Sequence, residues 1–282
     1  MDGVTYGSKG RTRYPSPIIW ADCPFQAIEL GDQPGYALWD DFIGVNVASQ
    51  TDIFGDSGPW YAGGTGTQAI AKVTSAIGSE PLRGGFLSLQ KQATTDNASA
   101  WITKCGAMMQ TDLNSGNKWW METRVAKSVV SGAGSSFFAG IGEIALAVDA
   151  GITADASTMI DESYFGFHHR ESGTTGTIFP VINTGGGAGP FDMLSGGVAT
   201  VQTTGLIVAN TFLKLGMKFD GKDRISIYCD GVLQGTYTIS AALGAAVGIP
   251  MSPVIIVAGG SSTDAFYIDW VRAAYEERVQ LA

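Results

Sequence analysis

Residues 213–239 read Leu-Lys-Leu-Gly-Met-Lys-Phe-Asp-Gly-Lys-Asp-Arg-Ile-Ser-Ile-Tyr-Cys-Asp-Gly-Val-Leu-Gln-Gly-Thr-Tyr-Thr-Ile, and this stretch decides the fold. Apolar and polar side chains alternate along it, and this period of two predicts half-buried β-strands. Two Asp-Gly pairs, at 220–221 and 230–231, separate the alternating segments. Because glycine accepts the positive φ of a tight turn, these pairs predict consecutive antiparallel hairpins.

Other segments extend the same pattern toward both ends of the chain. Residues 118–127 alternate cleanly, which places Trp119 and Trp120 on opposite faces of one strand. One of the two therefore lies in the core, and the arm or a partner covers the other. Residues 253–258 predict a strand buried on both faces, and residues 266–272 predict the last strand. Many short strands separated by turns indicate an all-β, antiparallel two-sheet sandwich or jelly roll.

The first 38 residues have a different character. Four prolines fall within twenty residues there, which excludes a long helix or a central strand. The same stretch is too apolar for a disordered leader, since it contains Tyr14, Ile18, Ile19 and Trp20. We therefore predict an extended N-terminal arm over 1–38, which packs on the body or on a partner, and a single sandwich domain over 39–282.

Composition excludes several function classes. The net charge is −9 and charged residues make up 15% of the chain, so clustered Lys and Arg for nucleic-acid binding are not expected. The longest apolar-looking uncharged run, about 241–260, contains two prolines and four glycines and is a poor membrane helix. The three cysteines have no metal-ligand spacing and suit a protein assembled in a reducing cytoplasm.

Two resemblances narrow these expectations. Residues 215–221 and 225–231, followed by the strand Phe-Tyr-Ile-Asp-Trp-Val-Arg at 266–272, resemble the closing hairpins and final strand of concanavalin-like (LamG-like) jelly rolls. The opening, residues 13–24 followed by Trp-Asp-Asp-Phe at 39–42, is similar to structural proteins of tailed bacteriophages. The second resemblance implies a virion component, with a head-decoration or cement protein as the first expectation.

The jelly roll that these residues resemble also hosts glycoside hydrolases, so the positions of the carboxylates matter. Retaining hydrolysis needs two carboxyl groups about 5 Å apart, and no Glu-x-Asp-x-x-Glu string occurs. The adjacent acids at 40–41 and 161–162, and the histidines at 168–169, would point to opposite faces of a strand. The histidines are expected at surface or half-buried positions. Asp40, Asp41, Asp264 and Asp269 lack a diagnostic calcium spacing. The sequence thus predicts no catalytic residues, no metal, no cofactor and no enzymatic activity.

The first functional hypothesis is a non-enzymatic capsid decoration protein on the virion surface, assembled in the host cytoplasm. It would bind the major capsid protein and neighbouring copies of itself as a homo-oligomer, with a trimer considered, and would use neither nucleic acid nor membrane. The predicted partner-binding residues lie in the arm: Arg11, Arg13, Tyr14, Ile18, Ile19 and Trp20. The alternative is a carbohydrate-binding, lectin-like module for host-surface glycans, in which an exposed Trp stacks on sugar. A third hypothesis is a glycoside hydrolase that uses Glu122 or Glu162.

Overall fold

A computed structural model gives the architecture. It describes residues 14–42, 60–65, 68–73, 76–78, 85–91, 99–104, 108–111, 114–130, 135–143, 152, 159, 162–169, 177–184, 191–192, 207–239, 249–258 and 264–278. Two short helices come first, α1 (Pro17–Trp20) and α2 (Phe25–Glu29). The strands are β1 (Gly35–Asp40), β2 (Trp60–Thr65), β3 (Gln68–Val73), β4 (Phe86–Lys91), β5 (Ser99–Lys104), β6 (Met109–Gln110), β7 (Lys118–Lys127), β8 (Ser136–Gly142), β9 (Ser163–His169), β10 (Ile178–Thr184), β11 (Phe191–Asp192), β12 (Leu213–Phe219), β13 (Arg224–Cys229), β14 (Val232–Thr238), β15 (Pro250–Ala258) and β16 (Ala265–Glu276).

The strands form two antiparallel sheets. In sheet A the order is β14-β13-β12-β7-β16-β4-β3, with β1 also paired to β16. In sheet B the order is β11-β10-β9-β8-β15-β5-β2, with β6 also paired to β15. Two long strands, β16 and β15, therefore each pair with one strand on one side and two strands on the other. The prediction of an all-β, two-sheet antiparallel jelly roll is confirmed.

Local sequence explains the hairpins. Asp230 and Gly231 adopt φ of 49° and 77°, the left-handed pair that a tight two-residue turn requires, and the turn joins β13 to β14. At the preceding turn, Asp220 Oδ1 accepts hydrogen bonds from the backbone N–H groups of residues 222, 223 and 224, at 2.8, 3.1 and 3.0 Å. Both Asp-Gly turn predictions are confirmed, and they set the register of β12, β13 and β14.

The core lies between the sheets, where the inner faces interdigitate. Trp119 belongs to this core, while Trp120 on the same strand lies on the outer face of sheet A and is also fully buried. Residues 254–257 of β15 are buried on both faces, as predicted. A second apolar cluster lies on the outer face of sheet B and includes Phe138 and Tyr164. Both sheets are thus covered on both sides over part of their area.

The N-terminal segment differs from the extended arm that the sequence predicts. Residues 14–34, here called the strap, contain α1 and α2 and pack on the outer face of sheet A. Pro17 at the first helical position fixes a helix-compatible φ. Residues 35–40 then join sheet A as β1, so this strand spans the predicted boundary at residue 38. Residues 1–13 lie outside the described part of the chain.

Two facing glycines let an aromatic ring lie flat on sheet B. Gly140 and Gly166 are paired across β8 and β9, and a Cβ on Gly166 would lie 2.4 Å from the Phe138 ring. Glycine at both positions therefore leaves the space that the Phe138 ring occupies. None of the helices in the described ranges has the length and apolar character needed to cross a bilayer.

Candidate functional site

The strap closes over a carboxylate on the outer face of sheet A. Glu122 on β7 has no exposed surface, and its Oε2 accepts hydrogen bonds from the Ser16 backbone N–H at 2.8 Å and from Trp20 Nε1 at 2.9 Å. Burial raises the pKa of Glu122, while its hydrogen bonds to Ser16 and Trp20 and the nearby Lys214 oppose the shift. Among the described residues, Oε1 has no hydrogen-bond partner. Glu122 therefore anchors the strap and is shielded from any polysaccharide while the strap is in place.

Cations from the sheet hold the strap at further points. The Arg272 guanidinium lies 4.1 Å from the Trp20 ring centroid and 4.0 Å from that of Phe25, which is cation–π geometry. Lys214 Nζ donates to the Tyr14 carbonyl oxygen at 3.2 Å. Asp22 accepts hydrogen bonds from Lys218 Nζ at 2.7 Å and from Trp120 Nε1 at 3.2 Å. These contacts explain why Trp120 is buried on the outer face of sheet A: the strap covers it.

Two buried ion pairs lie between β7 and the last strand. Arg124 pairs with Asp269 at 2.6 Å, and both side chains are at most 1% exposed. Lys127 pairs with Asp264 at 3.3 Å, and the same carboxylate accepts hydrogen bonds from the backbone N–H and hydroxyl of Ser135. Asp269 on β16 and Asp264 immediately before it, both considered for calcium, therefore have side-chain cations as partners. Within the described ranges, no three His, Cys, Asp or Glu side chains form a metal-binding group.

The predicted partner-binding residues divide into two groups. Tyr14 and Ile18 are 71% and 57% exposed, whereas Ile19 and Trp20 are 0% and 8% exposed because they pack on sheet A. Arg11 and Arg13 lie outside the described residues. The buried pair contacts the chain's own body, and binding of a partner by the exposed pair stays a prediction.

The outer face of sheet B carries a row of large side chains. Strand pairing aligns Phe179, His168, Phe138, Ile256 and Trp101 across five neighbouring strands. The central members are buried, and Ile152 and Met159 belong to their cluster. The two end members, Phe179 and Trp101, are half-buried. The accessible part of the row is therefore at its margins.

One margin forms the candidate site, which we call the aromatic platform: Tyr61, Gly63 and Trp101. Gly63 on β2 is paired with Trp101 on β5, and Tyr61 is paired with the next outward-facing residue, Thr103. A Cβ built on Gly63 would lie 2.6 Å from Trp101 Cζ2, so the indole lies against the edge strand in space that only glycine leaves. Tyr61 is 55% exposed beside it. The platform thus presents two aromatic side chains at the rim of the sheet.

The histidines lie elsewhere than expected. His168 and His169 are 0% and 2% exposed, so the prediction of surface or half-buried positions is wrong. They do lie on opposite faces: His168 aligns with the outer row, while the ring of His169 packs against Phe137 at the inner face. His169 Nδ1 donates to the Thr177 carbonyl at 2.8 Å. Burial, and then the charge of Lys127, lowers the pKa of His169 to about 4.

Carboxylates are missing from the strands that carry the platform. The described strands β2, β5, β6, β8, β9, β10 and β15 contain no Asp or Glu. Glu162 is half-buried immediately before β9, and the acidic pair that it forms with Asp161 is only partly described. What these strands offer a ligand is stacking surface and neutral polar groups.

Comparisons with known proteins place this geometry in a fold class. No protein-family model and no curated protein matches the sequence. An endo-1,3-β-glucanase from Streptomyces sioyaensis aligns with TM-score 0.51 at 14% identity over 87% of this chain and 96% of its own. Peanut lectin aligns with TM-score 0.53 at 9% identity over 87% and 100%. A Shewanella oneidensis MR-1 protein of unknown function aligns with TM-score 0.56 at 14% identity over 92% and 97%. The chain has the concanavalin-like jelly-roll fold that lectins and glucanases share.

These findings correct the functional expectations. The prediction that the protein is not an enzyme is corrected, because the same fold, over most of the chain, occurs in an endo-1,3-β-glucanase, so the fold does not exclude catalysis. A missing sequence motif excludes one arrangement of acids and does not exclude an activity. The similarity to tailed-phage proteins and the head-decoration role find no support among the similar structures. The capsid partner, the self-association and the virion location stay predictions.

Proposed function

We propose that the protein binds carbohydrate, with the aromatic platform as its ring-stacking surface. The observation that supports this most is the half-buried indole of Trp101, laid against Gly63 beside the exposed ring of Tyr61. A flat aromatic face suits the apolar C–H face of a sugar ring, and Tyr also offers a hydroxyl for hydrogen bonding. Because Gly63 leaves the Trp101 ring a defined position, the side chain loses little conformational entropy when a ligand binds.

The surroundings of the platform favour an uncharged glycan. The outward-facing described residues next to it on β5 are Ser99 and Thr103, and Thr103 Oγ1 donates to the Pro253 carbonyl at 3.3 Å. No charged residue belongs to this outward set, and the whole chain carries a net charge of −9. An anionic polysaccharide would therefore meet a repulsive field, and the described outward-facing residues of β2 and β5 include no cation to offset it.

The fold supports the choice of a first ligand. Peanut lectin and an endo-1,3-β-glucanase share the architecture, which makes a neutral polysaccharide a natural class and β-1,3-glucan a practical first probe. Transfer from proteins at 9–14% identity is an analogy of fold, and the platform residues themselves are the specific part of the proposal.

The test compares the half-buried Trp101 with the exposed Trp39 in affinity electrophoresis and titration calorimetry, first with soluble β-1,3-glucan and then on a neutral-glycan array. Trp101→Ala is expected to weaken binding about tenfold or more, since an interface aromatic often contributes more than ~1 kcal/mol. Trp39→Ala is the matched control, because Trp39 is 43% exposed and stacks on Trp270 at sheet A. Equal loss in both variants, or no binding to any glycan by the parent protein, would reject the proposal. Reducing-sugar release, measured in the same samples, reports hydrolysis separately.

A further inference from the structure

A lysine amine and an aspartate carboxyl group are buried together where β7 ends and β16 begins. Neither Lys127 nor Asp264 has any exposed side-chain surface, and Lys127 Nζ lies 3.3 Å from Asp264 Oδ2. Strand pairing sets Lys127 opposite Phe266, whose ring packs against that of Phe137 in the core with centroids 4.5 Å apart. The pair therefore lies at the inner face of sheet A, beside aromatic rings and without contact with solvent.

The two oxygens of the Asp264 carboxyl group have different surroundings. Oδ2 accepts hydrogen bonds from the Ser135 backbone N–H at 3.0 Å and from Ser135 Oγ at 2.9 Å. Oδ1 is also buried and has no hydrogen-bond partner among the described residues. Two donors fixed on one oxygen are the arrangement that stabilises the oxyanion of an acyl-transfer intermediate. The other oxygen remains available to take up protons and to leave.

The amine is held close to this carboxyl group. Lys127 Nζ also donates to the Ser135 carbonyl oxygen, so Ser135 contacts both groups. Fixed proximity of this kind corresponds to effective molarities of about 10⁵–10⁸ M for well-oriented intramolecular reactions. The exclusion of water acts in the same direction, because a buried ion pair has lost its hydration and competes with the neutral amine and the neutral acid. The site therefore favours the forms of both groups that can react with each other.

We propose that Lys127 and Asp264 form an intramolecular isopeptide bond. One proton passes from the Lys127 ammonium to Asp264 Oδ1, which leaves an amine and a carboxylic acid. The Nζ–Cγ bond then forms, a second proton moves from the nitrogen to the same oxygen, and the Cγ–Oδ1 bond breaks to release one water molecule. The reaction consumes no oxidant, cofactor or second protein.

The bond would tie the last strand covalently to β7. Backbone contacts already fix this corner, because the Ser128 N–H donates to the Ala265 carbonyl at 2.9 Å and the Ala265 N–H donates to Ser128 Oγ at 2.8 Å. The product would close a covalent loop over residues 127–264, which restricts the unfolded chain in the way a disulfide does. This inference concerns the scaffold, so it goes beyond the proposed function and does not depend on it.

The test is the intact mass of the full chain, purified in its folded form and then denatured for mass spectrometry. The parent protein is expected to be lighter than its sequence by one water molecule. Trypsin should fail to cleave after Lys127 and should release a branched peptide that joins residues 127 and 264. Lys127→Arg keeps the positive charge but has no amine to acylate, so the mass of this variant should equal that of its sequence.

The chain supplies a matched control pair at its surface. Lys218 Nζ lies only 2.7 Å from Asp22 Oδ1, but the two side chains are 22% and 41% exposed. Because water solvates both charges, this pair should stay ionic, and cleavage after Lys218 should be complete. A parent protein at its full sequence mass would overturn the proposal whether or not Lys127→Arg folds. Loss of water that persists in Lys127→Arg, as from dehydration at an Asp-Gly pair, would overturn it equally.

Discussion

The outer faces of the two sheets are both partly buried, but they are buried by different kinds of contact. On sheet A the strap covers the face and brings polar and charged contacts: Glu122 accepts hydrogen bonds from Ser16 and Trp20, and the Arg272 guanidinium lies over the rings of Trp20 and Phe25. On sheet B the covered centre is apolar, and its margin leaves Trp101 and Tyr61 accessible. Charged groups are thus committed to internal structure on one face, while accessible, uncharged aromatic surface remains for a ligand on the other.

The difference matters because a buried charge depends on its partner. Removal of one member of a buried pair leaves a charge in a poorly solvated site, whereas removal of a single methyl group from an apolar cluster costs only its transfer free energy and a small cavity. Sheet A's outer face should therefore be sensitive to single substitutions, and sheet B's outer face more tolerant of them.

The largest effect is expected from Arg124→Met. The substitution removes the Arg124 guanidinium that is paired with the buried Asp269 carboxylate, so the free energy of unfolding should fall by about 3–5 kcal/mol in urea titrations with an unchanged m-value. The double variant Arg124→Met/Asp269→Leu should recover most of this loss. On sheet B, Ile256→Val should cost only about 0.5–1.5 kcal/mol. Comparable losses for Arg124→Met and Ile256→Val would contradict the contrast between the faces.

The next effect is the dependence of folding stability on pH, to which the buried His169 and Glu122 contribute with opposite signs. The folded pKa of His169, about 4, lies below its ordinary 6.5, so the unfolded chain binds more protons and stability falls as pH drops from about 6.5 to about 4. The full loss is on the order of 3 kcal/mol. The raised pKa of Glu122 acts in reverse, since its ionisation at rising pH disfavours the folded state.

Two variants separate these contributions in urea titrations between pH 4 and 7. His169→Gln keeps a donor for the Thr177 carbonyl and should remove the loss of stability in acid. Glu122→Gln should make the loss in acid steeper, because the opposing contribution is gone. Identical pH profiles for the parent protein and both variants would show that neither group titrates as the structure implies.

The smallest effects are expected from alanine substitution of one glycine on the outer face of each sheet. Gly63→Ala would place a Cβ 2.6 Å from Trp101 Cζ2, so the ring must shift and glycan affinity should fall several-fold, about 1 kcal/mol, with little change in stability. Gly216→Ala is the counterpart on sheet A, where the Cβ would lie 2.4 Å from Ile19 Cδ1. It should destabilise the strap by about 1–3 kcal/mol and leave glycan affinity unchanged. The reverse pattern would exchange the roles assigned to the two faces.

The hairpin part of the fold follows from sequence because its signals are local. The alternation in 213–239, the two Asp-Gly turns and the opposed Trp119 and Trp120 each need only a few neighbouring residues to be read. Even the outward position of a buried tryptophan on β7 follows from period two alone. These features required no knowledge of which strands pair.

The strap and the aromatic platform depend on long-range contacts, which local patterns do not contain. Helices of four and five residues form only when tertiary packing supports them, so the strap gave no helical signal. Glu122 is separated from Trp20 by 102 residues. The position of Trp101 depends on the pairing of β2 with β5, which brings Gly63 opposite it. Gly63 indicates where the Trp101 ring lies only once the pairing of β2 with β5 is known.

The placement of β16 has a consequence for biosynthesis. This strand lies between β7 on one side and β4 and β1 on the other, so the middle of sheet A stays open until residues 265–276 have left the ribosome. Such distant pairings carry a high loop-closure cost and slow folding. Until β16 is available, the edges of β7 and β4 that pair with it stay unpaired in the nascent chain.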